Sequence, residues 1–407
     1  MVIRRSAFAV PIVLLILAGA GQANAEPDGF VTAEGSRLLL DGKEYRAIGV
    51  NVPHLHQAYF GTWFHTAEKY GTPERARQAM VDAVTDAGES GMAFIRFFAN
   101  PGYPLDIDKL YAKDPDQYWR QMDEVFALCR AHGVKLVPSL NCVTSWQPYV
   151  NEPGQALLDP ASKTHAAAYG YIREFVSRYR DDPLVLMWEL GNECMLGADV
   201  DRRGRPALPA GCFSEGAPRK DVLTREDSLT WDMLLAIYKE QTAFIKSIDP
   251  NHLVTSGDAA VRPECTSRRK TFPDFKYRND TRREWIANNL LSQPEPLDVY
   301  SFHLYGKPRQ SETEHIATLR SLIRATKAVE APVFVGELGQ MEPSFKEDPE
   351  ARWTVGAIDV FEEEGASLAA LWVWHFNWQP DWTFTSASHP GLAARAAAFN
   401  GRWASLE

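Results

Sequence analysis

Residues 185–193, VLMWELGNE, decide the fold that this chain is expected to adopt. The stretch begins as an apolar run with the length of one buried strand, which is too short for a typical helix. It ends on two polar residues, Asn192 and Glu193, directly after Gly191. A buried strand that ends in this way presents a carboxyl group at its C-terminal end. In a parallel α/β barrel, that end carries the functional residues.

A second stretch has the same form. Residues 332–339, PVFVGELG, run apolar and then reach a glutamate, Glu337. Two strand-end glutamates that are distant in sequence can face each other across one pocket, which is the arrangement that cleaves glycosidic bonds with paired carboxylates. A single glutamate of this kind more often caps a strand or pairs with an arginine. Two of them, each on its own apolar run, favour a catalytic pair.

Apolar strands alternate with helical patterns eight times along the chain. The predicted strands are Arg46–Val52, Phe94–Ala99, Lys135–Asn141, Val185–Glu193, Leu253–Asp258, Leu297–Tyr305, Val333–Gly339 and Leu368–Phe376. The predicted helices are Glu74–Ser90, Gln117–His132, His165–Arg180, Ser228–Ile248, Arg282–Leu291, Glu314–Val329, Glu350–Glu364 and Leu392–Ser405. This α/β pattern predicts a closed (β/α)₈ or TIM barrel. A doubly wound open sheet is the alternative, but such a sheet rarely needs eight regular units.

Three further segments complete the predicted architecture. Phe30–Tyr45 alternates around two turn signals and predicts an N-terminal hairpin that covers one end of the fold. Long loops, Cys194–Asp227 and Ala259–Asp280, follow strands four and five and would shape a cleft at the C-terminal ends of the strands. No linker or repeat interrupts the pattern, so we expect one catalytic domain over residues 26–407.

The composition limits the partners. The chain has 407 residues, 45% hydrophobic and 24% charged, with a net charge of −10. The negative charge argues against a nucleic-acid partner and favours a neutral or cationic substrate over an acidic polymer. The sequence contains 12 Trp residues, and tryptophan rings are good platforms for the apolar faces of sugars. The oligomeric state is not readable from the sequence.

The N-terminus has the pattern of a signal peptide over residues 1–25. Arg4 and Arg5 form the basic part, Phe8–Ala20 the apolar part, and residues 23–25 a small-residue cleavage site. We expect a secreted or periplasmic protein that starts near Glu26 and has no membrane association after cleavage. Ordinary secretion is the preferred route, with twin-arginine export as the alternative.

The five cysteines would then meet an oxidising compartment. Cys142 and Cys194 each follow a strand end, while Cys212 and Cys265 lie in the two long loops. The pairs Cys142–Cys194 and Cys212–Cys265 would leave Cys129 as the free thiol. The sequence does not fix this connectivity.

Polar and tryptophan side chains cluster at the predicted strand ends. Each interrupts or ends an apolar run, which is costly unless the group is paired or functional. The set comprises Arg96, Asn141, Asn192, Glu193, His303, Tyr305, Glu337, Trp372 and Trp374.

This set resembles the family 5 glycoside hydrolases and their wider clan. The matching motifs are IRFFA around Arg96, WELGNE at Glu193, SFHLY at His303 and Tyr305, and VFVGELG at Glu337, followed by the Trp-rich strand eight. The resemblance implies a retaining enzyme that needs no cofactor and no metal. It makes Glu193 the acid/base and Glu337 the nucleophile.

The remaining strand-end residues are expected to bind substrate. Arg96 and Tyr305 are placed beside Glu337, and Asn192 is placed to hydrogen-bond the sugar 2-hydroxyl. Either Trp372 or Trp374 is expected to form the floor under the sugar, because both would point to the same face of strand eight. Trp372 is the preferred candidate.

The motifs are most similar to those of the β-mannanase-like members. Asn141 follows strand three, where many cellulase-type members have a histidine. Gly306 and Lys307 follow Tyr305, however, where the mannanase pattern continues with Pro and Trp. The expected substrate is therefore a β-linked polysaccharide or oligosaccharide, with β-1,4-mannan, a β-glucan and other β-linked polymers all left open. Endo and exo action are also both open.

Two other classes of protein compete with this interpretation. His54-Leu55-His56 after strand one resembles the start of the metal site in metal-dependent amidohydrolase barrels, although Asp258 ends strand five where that class needs a histidine. The second alternative is a non-catalytic carbohydrate-binding barrel. Such a protein would be expected to have lost one of the two glutamates, and this chain keeps both.

Overall fold

The structure is a computed structural model that describes residues 29–63, 65–101, 110–205, 222–306, 310–340, 348 and 350–404. The predicted signal peptide, residues 1–25, and Cys212 lie outside these residues, so the domain boundary near residue 26 stays a prediction. Within the described part of the chain, no helix is long and apolar enough to cross a membrane.

The chain begins with a small antiparallel sheet of three strands. Strand β1 is Val31–Glu34, β2 is Arg37–Leu40 and β3 is Lys43–Tyr45, in the order β1-β2-β3. The predicted hairpin is therefore present and is extended by one strand. Val31 and Leu38 from this sheet pack in one apolar cluster with the first residues of the barrel strands, such as Phe94 and Phe334. The small sheet thus covers the N-terminal end of the barrel.

Eight parallel strands form the barrel itself. They are β4 Ala47–Asn51, β5 Phe94–Phe98, β6 Lys135–Ser139, β7 Met187–Glu189, β8 Leu253–Thr255, β9 Tyr300–Tyr305, β10 Val333–Gly339 and β11 Leu368–Leu371. Their order is β8-β7-β6-β5-β4-β11-β10-β9. A parallel bridge between Thr255 and Val299 joins the two outer members. The predicted TIM barrel is confirmed.

Twelve α-helices are present in the described residues. They are α1 Leu55–Tyr59, α2 Thr66–Tyr70, α3 Pro73–Glu89, α4 Pro115–Ala131, α5 Trp146–Val150, α6 Lys163–Tyr179, α7 Trp231–Ile248, α8 Cys265–Thr271, α9 Arg282–Leu291, α10 Glu312–Lys327, α11 Arg352–Glu364 and α12 Pro390–Ala404. Several begin at side chains that accept a hydrogen bond from the third helical N–H, as Thr72, Ser162 and Thr230 do. Gly365, in the left-handed conformation, ends α11.

Several strands end earlier than the apolar runs predicted. Strand β7 ends at Glu189, so Asn192 and Glu193 lie in the turn beyond it. The backbone N–H groups of Gly191 and Glu193 still bond to the carbonyls of Ser256 and Gly257, which keeps this turn against the end of β8. Glu193 itself has a left-handed backbone with φ of 54°. The turn, rather than the strand, therefore aims its side chain.

The predicted pairing of Cys142 with Cys194 is wrong in this structure. Cys129, Cys142, Cys194 and Cys265 are all free and buried. The Cys142 thiol donates to the Leu140 carbonyl at 3.3 Å, and the Cys194 thiol faces the Asn192 carbonyl at 3.8 Å. Each thiol is thus engaged by backbone at its own strand end, and burial raises the pKa of both.

Candidate active site

Arg96 organises the C-terminal end of the barrel. It lies on β5 and is fully buried. Its Nε donates to both Glu189 oxygens at 3.0 and 2.8 Å, and its Nη2 donates to Glu189 Oε1 at 2.8 Å. Its Nη1 donates to Asn51 Oδ1 and to Glu337 Oε1, each at 2.9 Å. One guanidinium therefore joins residues from four strands, β4, β5, β7 and β10.

Glu337 is held on both of its oxygens. While Oε1 accepts from Arg96, Oε2 accepts from the Tyr305 hydroxyl at 2.5 Å. Only 5% of the Glu337 side chain is exposed. A charged donor on one oxygen and a hydroxyl on the other fix the orientation of the carboxylate.

Glu193 lies opposite, in a different environment. Its side chain is 31% exposed, and its Oε1 lies 3.1 Å from His303 Nδ1. Burial raises the pKa of Glu193, while the positive charges of Arg96 and Arg262 partly oppose that rise. One carboxylate oxygen of Glu193 and one of Glu337 lie within 4.8 Å of each other. The two glutamates therefore face each other across a narrow gap, and they differ in exposure and in hydrogen-bond partners.

His303 lies between the two carboxylates. Its Nδ1 is 3.1 Å from Glu193 Oε1 and 3.4 Å from Glu337 Oε1. Burial lowers the pKa of His303 to about 4, so the ring is neutral near pH 7. A side chain at Gly336 would place its Cβ 2.9 Å from His303 Nε2, so the ring occupies this position because residue 336 is a glycine.

Glu193, His303 and Glu337 also form the one group among the described residues with the spacing of metal ligands. Both oxygens of Glu337 already accept hydrogen bonds, from Arg96 and Tyr305. The hydrogen bonds from Arg96 and Tyr305 therefore explain how the Glu337 carboxylate is oriented.

Asn192 is oriented by Arg96. Its Oδ1 accepts from Arg96 Nη2 at 2.7 Å. Arginine has only donors, so the amide oxygen must face it. The amide NH₂ of Asn192 is thereby turned away from Arg96, and the residue lines the cavity beside both glutamates.

A cavity of about 450 Å³ opens above the two glutamates. Much of its described wall is aromatic. It is lined by Pro53, His54, Gln57, Trp63, Phe98, Asn192, Glu193, Tyr305, Glu337, Trp372, Phe376, Trp378, Gln379 and Trp382. Trp372 lines it as predicted, and its Nε1 donates to Gln379 Oε1 at 2.9 Å. Trp382 packs edge-on against Tyr305 at 5.3 Å.

Two predicted site residues lie elsewhere. Trp374 is fully buried, and its Nε1 donates to the Ala83 carbonyl of α3 at 3.0 Å, so it belongs to the layer between barrel and helices. The expectation that it shares a face with Trp372 is wrong, because the pairing of β11 ends at Leu371 and the alternation of a strand does not extend further. Asn141 is buried behind Gly191 and is absent from the described lining of the cavity.

The two histidines after β4 do not form a joint site. His54 lines the cavity, and its Nε2 lies 2.6 Å from the Tyr70 hydroxyl. His56 packs instead against Phe60 and Tyr118. Burial lowers the pKa of each to about 3. Neither belongs to the one group of potential metal ligands among the described residues, so the structure lends no support to the amidohydrolase alternative.

Sequence reasoning missed two groups of residues. The first group is Glu189 and Asn51, which accept hydrogen bonds from Arg96. Glu189 and Arg96 each interrupt an apolar run, and this pattern could have indicated that they form a buried ion pair. Trp63, Trp378 and Trp382 line the cavity from positions outside the barrel strands. No periodic pattern marks such residues.

The Arg96–Glu189 ion pair gives a stability prediction. Both side chains are 1% exposed or less. Breaking a buried ion pair costs about 3–5 kcal/mol. In Glu189→Gln, Arg96 loses the carboxylate that accepts from its Nε and Nη2, while its Nη1 contact with Glu337 remains. We expect Glu189→Gln to lower the free energy of unfolding by about this amount, measured by urea denaturation.

The matched control is Glu34→Gln. Glu34 pairs with Arg37 at 2.7 Å, but their side chains are 64% and 52% exposed. Its loss should be below about 1 kcal/mol, as is usual for exposed pairs. Similar losses in the two variants would contradict the structural role of Glu189.

A comparison with family models identifies the family of this chain. Residues 49–378 match the family model described as Cellulase (glycosyl hydrolase family 5). The chain therefore belongs to glycosyl hydrolase family 5.

Two of the relatives are named as mannan endo-1,4-beta-mannosidases. The chain is 29% identical over 275 residues to a probable mannan endo-1,4-beta-mannosidase C of Aspergillus terreus, covering 60% of this chain and 59% of that protein. It is 26% identical to mannan endo-1,4-beta-mannosidase 2 of Oryza sativa, covering 79% and 69%. The chain thus spans little more than half the length of the first of these relatives.

Among solved structures, the endo-1,4-beta-mannanase from Rhizomucor miehei superimposes with a TM-score of 0.59 at 18% identity, over 92% of this chain and 99% of that one. An exo-beta-1,4-mannosidase from Opitutaceae bacterium strain TAV5 gives 0.60 at 16% identity, over 91% and 63%. At these identities, the likeness shows the shared fold.

Proposed function

We propose that this protein is a retaining β-glycoside hydrolase that cleaves β-1,4-mannan by double displacement. The observation that carries the proposal is the pair of carboxylates, Glu193 and Glu337, with oxygens within 4.8 Å of each other in a tryptophan-lined cavity. Retaining enzymes hold their two carboxyl groups about 5–5.5 Å apart, whereas inverting enzymes need room for a water molecule between them.

The two environments suit two different roles. Glu337, held by Arg96 and Tyr305, attacks the anomeric carbon as that carbon loses its bond to the leaving oxygen. Glu193, with a pKa raised by burial, gives its proton to that oxygen. In the second step, the Glu193 carboxylate takes a proton from water, the water oxygen attacks the anomeric carbon, and Glu337 leaves as a carboxylate.

Other cavity residues support binding of the sugar. We expect the Asn192 amide NH₂ to donate to the 2-hydroxyl, because the amide oxygen already accepts from Arg96. We expect Trp372, which lines the cavity, to form the floor under the sugar at the cleavage point, since its ring can cover an apolar sugar face. Arg96, His303 and Tyr305 complete the set by positioning the two carboxylates.

The similarity to proteins named as mannan endo-1,4-beta-mannosidases supports mannan as the substrate. Product analysis on mannan, glucomannan, cellulose, xylan and laminarin tests this choice. We expect release of manno-oligosaccharides from mannan and glucomannan. Hydrolysis confined to cellulose or laminarin would contradict the mannan assignment, and a product with inverted anomeric configuration would contradict the retaining mechanism.

Export is the second part of the proposal. It rests on the basic, apolar and small-residue pattern of residues 1–25. N-terminal sequencing of the protein recovered from outside the cytoplasm should begin near Glu26. An N-terminus at Met1 would contradict cleavage.

The pKa of Glu193 leads to a prediction about pH. Activity should fall as pH rises through this pKa, because the first step needs the protonated acid. Arg262 lowers the pKa of Glu193 by its positive charge. We therefore expect Arg262→Met to raise that pKa and to move the alkaline limb of kcat/KM to higher pH.

The measurement is a pH profile of kcat/KM at low ionic strength, with Arg203→Met as the matched control. Arg203 pairs with Asp201 at 2.7 Å and is absent from the described linings of the cavities that Glu193 borders. An alkaline limb that stays in place for Arg262→Met, or moves to lower pH, would contradict an effect of the Arg262 charge on the pKa of Glu193.

A further inference from the structure

Glu193 borders a second cavity with a very different wall. This cavity, of about 400 Å³, is lined by Glu193, Leu196, Gly197, Val200, Arg202, Arg205, Leu223 and Arg262. Three of these residues are arginines, and we call the space the arginine cavity. Glu337 is absent from its described lining, so it lies on the Glu193 side of the carboxylate pair.

The local structure holds two of the three guanidinium groups. Arg262 Nε donates to the Leu196 carbonyl at 2.7 Å, which fixes this side chain at the edge of the cavity. Arg202 packs over Gly197, where an added Cβ would lie 2.7 Å from Arg202 Nη2. Residue 197 therefore leaves room for the guanidinium because it has no side chain.

Among the residues that the structure describes, no carboxylate forms an ion pair with Arg202, Arg205 or Arg262, whereas their neighbour Arg203 pairs with Asp201. The acid in the described lining of the arginine cavity is Glu193 itself. The cavity thus concentrates positive charge on a protein whose net charge is −10.

The tryptophan-lined cavity has the opposite character. Its described lining includes four tryptophans and no Lys or Arg. Such a wall suits a neutral sugar. The leaving oxygen must lie beside Glu193 to receive its proton, so the space beyond Glu193 receives the leaving-group side of the substrate. The neutral and the cationic walls therefore lie on opposite sides of the bond that is cleaved.

We propose that the arginine cavity binds the carboxylate of a uronic acid carried on the leaving-group side of the substrate. Guanidinium groups match carboxylates in shape and in donor geometry, and paired contacts of this kind are strong. The inference rests on the proposed function. It also refines the expectation, drawn from net charge alone, that the substrate is neutral or cationic, because the local charge at this position is positive.

The test compares two matched substrates. One is a β-1,4-linked manno-oligosaccharide that carries a uronic acid on its reducing-end side, and the other is the same molecule with its carboxyl reduced to a hydroxymethyl group. We expect the native enzyme to have a higher kcat/KM for the acidic form. The ratio of the two kcat/KM values should fall as salt is added, since exposed charges are screened beyond about 10 Å at 0.1 M salt.

Two variants and one control locate the effect. Arg202→Met and Arg262→Met should each lower the acidic-to-neutral ratio by about five-fold, the size expected for one partly exposed charge contact. Arg203→Met is the matched control, because its guanidinium is already paired with Asp201, and its ratio should equal that of the native enzyme. An equal fall of the ratio in the control would overturn the inference. It would show that the preference depends on the overall positive charge of this surface and not on a binding site in the arginine cavity.

The outcomes separate this inference from the proposed function. Equal kcat/KM for the two substrates, or a preference for the reduced one, would overturn the uronic acid site and leave the glycosidase assignment intact. Failure to cleave either substrate would overturn the proposed mannanase activity instead. In that case, calorimetric titration of Glu337→Gln with the acidic oligosaccharide decides the inference directly: tighter binding than that of the reduced form supports it, and equal binding overturns it.

Discussion

Glu337→Gln is expected to reduce kcat by about 10⁴-fold or more while the barrel stays folded. The amide cannot form the glycosyl–enzyme bond, since its nitrogen and oxygen are both far weaker nucleophiles than a carboxylate oxygen. Arg96 keeps its contacts with Glu189, Asn51 and Asn192, so its charge remains compensated. The loss of stability should therefore stay near about 1–2 kcal/mol.

The measurement is turnover on mannan together with a urea unfolding curve for the same preparation. Glu34→Gln serves as the control for the change from carboxylate to amide. Glu34 is exposed and lies in the N-terminal sheet, away from the cavity. Residual activity of more than a few per cent in Glu337→Gln would show that another group is the nucleophile.

Glu193→Ala is expected to lose activity unequally on two kinds of substrate. Proton donation matters most when the leaving group is a sugar alcohol, and little when the leaving group is already acidic, as in a dinitrophenyl glycoside. The variant should therefore lose at least about 10²–10⁴-fold in kcat/KM on mannan and far less on the activated glycoside. Equal losses on both would mean that Glu193 is not the proton donor.

Azide separates the second role of Glu193 from the first. Water needs a base in order to attack the glycosyl–enzyme intermediate, whereas azide is already an anion. Added azide should accelerate the variant on the activated substrate and yield a glycosyl azide of β configuration, because two inversions restore the original one. An α-configured azide would indicate direct displacement and contradict a covalent intermediate on Glu337.

The sequence predicted the parts of the fold that depend on periodicity. Strand β10 and helix α9 have the predicted bounds, Val333–Gly339 and Arg282–Leu291, because each is a regular apolar or amphipathic run with clear boundaries. The two glutamates were found because each follows such a run. Their facing arrangement also followed from topology, since parallel strands of one barrel end at the same rim.

The sequence could not predict how the backbone turns once a strand has ended. Trp372 and Trp374 are two positions apart, yet one reaches the cavity and the other packs under α3, because regular pairing stops at Leu371. Glu193 is aimed by a left-handed turn that no residue preference indicates. The sequence also did not predict the positive charge of the arginine cavity. Net charge sums over the whole protein and does not show where positive charge is concentrated.

The N-terminal sheet also determines how this protein can be attached to a surface. Val31 in β1 packs under the barrel, at the end opposite the cavity. Helix α12 returns to the same end, where the Trp403 ring lies 4.3 Å from the Arg46 guanidinium just before β4. A tether joined at either end of the described chain would therefore leave from the base of the barrel. Immobilised through such a tether, the molecule would turn its open cleft toward the surrounding solution.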